Sequence, residues 1–202
     1  MPLPAAAPRE RIHRRSISIE GFRRSDGLYE VEARLVDVKD VTAELAEGPR
    51  APGEPIHDMK VRITFDRTLT IVEAVAVTDE MPYHGACERI NPAYAALKGV
   101  RMKPGFTAKL REMFGGIAGC THITELVGNM ATAAYQTLAG ELRHDTSRKP
   151  FQLDGCHALD TTGPTVAKYY PRWIRAAATE SKPETLGAAA SGAVTPSVKE
   201  AQ

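Results

Sequence analysis

Gly119-Cys120-Thr121-His122 places a thiol and an imidazole two residues apart, where a glycine-rich stretch gives way to an amphipathic run. If that run is a helix, both groups sit at its N-terminus, a location that favours thiolates and leaves main-chain N–H groups free for an anion. His57-Asp58 sets an imidazole beside a carboxylate, the pairing used for proton transfer or metal binding. Tyr83, His84 and Cys87 follow a second apolar segment, and Cys156-His157 forms a further Cys/His pair after Asp154-Gly155. Cys87, Cys120, His57 and His122 offer sulfur and nitrogen donors of the kind that hold Zn²⁺ or Fe, although their spacing is unlike a zinc finger.

The elements that would position these groups are legible from periodicity. Leu28 to Val38 alternates, with Tyr29, Val31, Ala33 and Leu35 on one face and Glu30, Glu32 and Arg34 on the other, as in a half-buried strand. Ser16 to Ile19 is a shorter alternating segment. Met59–Phe65 and Ile71–Val77 flank the turn Asp66-Arg67-Thr68 and read as an antiparallel hairpin. In a hairpin the start of one strand lies beside the end of the next, so residues 57–58 and 83–87 become neighbours, and His57, Asp58, Cys87, Cys120 and His122 can converge on one mouth. Residues 46 to 55 are a Gly/Pro loop, 87 to 98 a short helix, and 106 to 114 a second. From Thr121, read as the N-cap, to Leu142 the residues Ile123, Leu126, Val127, Met130, Ala134 and Leu138 keep helical spacing. Residues 151 to 173 read as a final extended segment. Strands first and helices after predict an α+β fold: an antiparallel sheet of three to five strands with helices packed on one face. The charges Arg24, Asp26, Glu30, Asp37 and Lys39 read as a solvated face, with Arg24–Asp26 holding a turn.

The 202 residues allow one sizeable core. Composition divides them into a basic Pro/Ala-rich arm (1–14), one domain (15–175) and an Ala/Pro/Ser-rich tail (176–202), both ends too poor in large apolar side chains to order. A net charge of +1 gives no reason to expect nucleic acid, and no apolar run suits a membrane span or a signal peptide. Three unpaired cysteines fit a reducing cytoplasm. Phosphate-binding loops, dinucleotide fingerprints, nucleophile elbows and His-Glu-x-x-His are all missing.

Together Phe22 to Ala33, Asp37-Val38-Lys39, Ile56 to Met59, Pro82-Tyr83 with Cys87, Leu97-Lys98-Gly99, Gly119 to His122 and Gln136 resemble a bacterial family catalogued as domain of unknown function 2889. Asp154-Gly155-Cys156 and Tyr170 to Trp173 extend that likeness over about residues 11 to 174. The resemblance implies gene neighbourhoods of aromatic and acyl-CoA catabolism and fixes no reaction. The element order, with Cys87 after the hairpin and Cys120 opening the last helix, is also similar to NifU-like iron–sulphur scaffolds. That likeness implies three converging cysteines, and here His57-Asp58 stands in the place of the first. The expectation is a small lyase or proton-transfer enzyme acting on a small carboxylated molecule, such as a lignin-derived aromatic or an acyl-CoA pathway compound. His57 is the base, Asp58 its orienter, and Cys120, His122, Tyr83 and Arg24 complete the pocket. The alternative is a metal or iron–sulphur module without turnover, with His57, Cys87, Cys120 and His122 as ligands. A third reading leaves the cysteines as core residues. Homo-oligomerisation stays open.

Overall fold

The computed structural model describes residues 2–142, 149–150 and 152–176. The chain divides into two compact units, Met1–Asp145 and Thr146–Gln202, a boundary inside the segment read above as one domain.

In the first unit, β1 (His13–Arg23), β2 (Tyr29–Lys39), β5 (Pro55–Phe65) and β6 (Ile71–Glu80) form an antiparallel sheet in the order β1-β2-β5-β6. A small hairpin, β3 (Ala43–Leu45) with β4 (Gly48–Arg50), is inserted between β2 and β5. Alternation sets the inward face: Tyr29, Val31, Ala33 and Leu35 from β2, and Met59, Val61, Ile63 and Phe65 from β5, are all buried. Over them lies α2 (Thr121–Leu142), whose Ile123, Leu126, Val127, Met130, Ala134 and Leu138 are fully buried. Each large apolar side chain buried this way contributes about 1.5–3 kcal/mol. Before it, α1 (Phe106–Phe114) packs through Phe106, Leu110 and Phe114. The fold is therefore α+β, with a four-stranded antiparallel sheet and its long helix on one face.

Three local expectations change. The first strand runs from His13 rather than Ser16, taking His13 and Arg14 out of the expected arm; eleven regular pairs to β2 hold its main chain. Residues 87 to 97 form 3₁₀ turns rather than an α-helix, because Pro92 lies inside them and lacks the N–H that an α-helical turn needs. The second unit is turned rather than extended: Pro164 starts α3 (Pro164–Tyr169), and Asp154 accepts hydrogen bonds from the main-chain N–H and hydroxyl of Thr161 and from Lys149. Of the expected tail, residues 177–202 lie outside the described residues.

The helix crosses β1 closely at Gly21, where a Cβ would run into the Thr137 hydroxyl. Gly21→Ala is expected to destabilise the protein by about 1–3 kcal/mol through overpacking. Thr137→Ala in the same chain should recover part of that loss in urea denaturation midpoints.

A candidate acid–base site on one rung of the sheet

The inward alternation of β2 does not stop at Leu35. Its next position is Asp37, a carboxylate only 3% exposed at the end of an apolar row. The sheet register places Arg15 of β1 on one side of it and His57 of β5 on the other, so the three lie on one rung. Above the rung the first turn of α2 brings in His122 and Glu125. β-Bulges at Asp37/Val38 and at Asp58/Met59 flank the rung on both sides, the kind of irregularity that re-aims side chains beside a site.

Asp37 is heavily bonded. Arg15 donates to both of its oxygens, Nε to Oδ1 at 2.8 Å and Nη2 to Oδ2 at 2.7 Å. His13 Nε2 lies 3.1 Å from Oδ1 and His57 Nδ1 lies 3.0 Å from Oδ2. Arg15 is itself steadied by Glu125, whose Oε2 accepts from Nη1 at 2.7 Å. Burial opposes the charged form of Asp37 and is the largest single influence. The Arg15 hydrogen bonds and charge, with those of His13 and His57, outweigh it and hold the pKa at about 2. His57 is pushed below its ordinary pKa by burial, against the pull of Asp37. Burial also lowers His122, with the charges of His57 and Arg15 acting in the same direction. Both rings are therefore neutral at pH 7. With Nδ1–H donating to Asp37, His57 carries its lone pair on Nε2.

The two imidazoles stack, ring centroids 3.9 Å apart and planes 34° tilted. His122 Nε2 is 3.8 Å from Asp37 Oδ2, and its Nδ1 is 4.0 Å from Cys120 Sγ. Cys120, rather than Thr121, is the N-cap: its carbonyl accepts the first helical bond, from the N–H of Thr124. Its own N–H donates to the buried Tyr94 hydroxyl at 2.9 Å, and that ring stacks on Phe114 at 4.5 Å. Side-chain exposures of 16% for His57 and 24% for His122 leave both rings within reach of solvent.

Of the residues singled out from sequence, His57, His122 and Cys120 come together. Asp58 does not orient His57. Adjacent strand residues point to opposite faces, and Asp58 pairs across the far face with Arg34, Nε to Oδ1 at 2.8 Å. Arg24 is bound to Asp26 and Glu30 at the other end of β2, about 27 Å of strand from Asp37, so it is no part of this mouth. Tyr83 is 55% exposed in the loop after β6, where its carbonyl accepts from the N–H of Cys87 at 3.0 Å. Cys87 is half-buried and is not among the metal-competent donors, which are Asp37, His57 and His122 among the described residues. Cys156 and His157 belong to the second unit. Composition puts His13 and Arg15 in the arm or at its border and Asp37 on a solvated face, so none of the three stands out as a site residue in the sequence. The signal for Asp37 was its parity with Tyr29, Val31, Ala33 and Leu35.

A family model described as protein of unknown function (DUF2889) matches residues 13–136, from the first residue of β1 into α2. The chain belongs to that family. The match contains every residue of the site and ends before Asp154-Gly155-Cys156 and Tyr170 to Trp173. No curated protein and no solved structure matches the chain, and the NifU-like resemblance is not confirmed. No described helix is long and apolar enough to cross a membrane.

Stability should track these titrations. The two histidines must lose protons to enter the fold, so stability is fully present above their unfolded value of 6.5 and falls as the pH drops below it. Asp37 adds a second loss, below its unfolded value of 3.8 and down to about 2, on the order of 2 kcal/mol. Urea midpoints measured from pH 8 downward should show both declines, and Asp37→Asn should make the lower one shallower, the other carboxylates with lowered pKa, such as Asp58 and Asp66, keeping the remainder.

Proposed function

We propose that this chain is a small acid–base catalyst that moves a proton on a carboxylated organic molecule, with His57 as the base. The observation that carries this reading is the buried, Arg15-compensated Asp37 carboxylate held 3.0 Å from His57 Nδ1. A carboxylate in that position fixes the tautomer and the ring orientation and stabilises the imidazolium formed when Nε2 takes a proton. His122, stacked on His57, is the second imidazole. It can return a proton to the other end of a substrate, as an elimination or isomerisation needs, and only one ring of so close a pair carries charge at a time. The lowered pKa of His57 keeps it a competent base at neutral pH. Aromatic and acyl-CoA pathway acids are the substrate classes first tested, in a reducing cytoplasm that suits three free thiols.

The test is proton exchange in D₂O, followed by NMR, over a panel of small aromatic acids and their thioesters with acidic C–H bonds. Wild-type protein should wash out a C–H signal at a rate that rises with pH and levels off above 6.5, the ordinary histidine value. His57→Ala and Asp37→Asn should be slower by about 10²- to 10⁴-fold while keeping native circular dichroism. Exchange by His57→Ala at the wild-type rate, or none by the wild type across the panel, overturns the assignment.

A second reading has its own observation. Donor atoms of Asp37, His57 and His122, from β2, β5 and α2, all lie within 4.8 Å of one another. Neighbouring ligands held about 2.0–2.2 Å from one ion stand roughly 3–3.6 Å apart, close to the 3.0 and 3.8 Å found from Asp37 Oδ2 to the two rings. Two neutral imidazoles and a carboxylate suit Zn²⁺ or Fe²⁺, which would supply Lewis acidity for a developing oxyanion. Against this, Asp37 already accepts two bonds at each oxygen, so a cation must displace the proton between His57 and Asp37. The acid–base reading is therefore placed first. Elemental analysis separates the two: one Zn or Fe per chain, lost in His122→Ala, selects the metal centre, and metal-free protein after Zn²⁺ incubation and desalting rejects it.

A further inference from the structure

The two edges of the sheet are not alike. The β6 edge is engaged at both ends by the segment that follows it: Ile71 donates to Val100 and accepts from Gly99, Thr70 bridges to Arg101, and the Thr78 hydroxyl donates to Asn91 at 3.0 Å. The β1 edge has no such cover. It is eleven residues long, roughly 37 Å, with no proline, and its pairing to β2 is free of bulges. Ten of its eleven residues are exposed, and among the described residues no main-chain hydrogen bond reaches its outer side. Proteins usually blunt such an edge, because unpaired N–H and C=O groups in a flat row invite another strand.

We propose that β1 pairs with β1 of a second copy of this chain, antiparallel about a two-fold axis at Ile17, joining two sheets into one of eight strands. In an antiparallel pair, residues directly opposite present the same kind of backbone edge, so a two-fold axis must fall on a residue rather than between two. Among registers near the strand centre, the one centred on Ile17 sets Arg14 opposite the partner's Glu20, twice by symmetry. Centring on Ser18 sets Arg14 against the partner's Phe22, and centring on Ile19 sets Arg15 against the partner's Arg23. Arg14 and Glu20 lie on the same face of β1, both are exposed, and neither makes a hydrogen bond or ion pair within its own chain among the described residues. Arg14 only adds its charge near Asp40.

The other face of the same edge fits the same occupant. Ile17 is 38% exposed there, at the mouth of a hollow of about 550 Å³ that Ile17 and Ile19 share with Asn129, Thr132, Ala133 and Gln136 of α2. The Ile17 register brings Ile17 against the partner's Ile17 and turns the small polar stripes of the two helices toward each other. Because the pairing is two-fold, each copy uses its β1 edge on the other, and the assembly closes at two copies instead of growing into a fibre. The proposal is independent of the chemistry assigned to His57.

Sedimentation equilibrium on the full chain tests it. The wild type should sediment at twice the mass of one chain. Glu20→Arg places two like-charge pairs opposite one another and should raise the dimer dissociation constant about tenfold. Adding Arg14→Glu to that variant should restore wild-type association, which identifies the register. Ile17→Lys, at an exposed position, should be monomeric with native circular dichroism. A wild type that is monomeric at its highest soluble concentration overturns the proposal. So does a dimer indifferent to Glu20→Arg and Ile17→Lys, or a charge swap that fails to restore pairing.

Discussion

A buried carboxylate is the constraint on which this structure turns. Asp37 occupies an inward position of β2 that the alternation of Tyr29, Val31, Ala33 and Leu35 reserves for an apolar side chain. A lone charge there costs several kcal/mol, so the surrounding elements must deliver compensation to it. Arg15 does so from β1, His13 and His57 add hydrogen bonds, and Glu125 of α2 balances the remaining charge of Arg15. The edge strand, the central hairpin and the long helix are tied to one point, and the same ties pose two neutral imidazoles at the surface. A charge at an apolar position breaks the local rule of the strand, and tertiary contacts supply the offset.

The division of labour between packing and chemistry follows the length of the sheet. Below the rung, β2 and β5 present an apolar row to α2, ended by the Tyr29 ring and its hydroxyl, and burial of that row fixes the relative height of helix and strands. Regular pairing runs as far as the rung, and bulges follow it at Asp37/Val38 and, on the β6 side, at Asp58/Met59. A regular ladder repeats its side-chain directions every second residue, so Asp37 and His57, two positions beyond Leu35 and Met59, face the helix terminus by the same alternation that buries the apolar row.

The elements that pack were legible because packing has a period. β2, the β5–β6 hairpin and α2 stand within a residue or a few of where alternation and helical spacing put them. The site was half legible. His57, Cys120 and His122 announce themselves by type, and hairpin geometry brings two of their segments together. The rest depended on strand parity and long-range pairing. Adjacency in sequence favours Asp58 over Asp37 as the partner of His57, yet neighbours in a strand diverge while partners across a rung converge. Arg24 was chosen for its charge, and its place at the far end of β2 was set by the turn it closes. Basic composition hides His13 and Arg15, because it looks the same in a solvated arm and in a strand that turns two of its basic side chains onto a buried carboxylate.

The helix α2 is fastened to one strand at both tips. At its start, His122 and Glu125 meet Asp37 and Arg15; near its end, Glu141 accepts a hydrogen bond from Tyr29, the first residue of β2, and takes ion pairs from Arg23 and Arg67. An ordinary surface helix unzips from whichever terminus is loose. This one has no loose terminus among its described residues, and sliding it along its axis would break the contacts at both ends together. Its twenty-two residues are then held like a string stretched between two pegs on one board, and they let go as a unit or not at all.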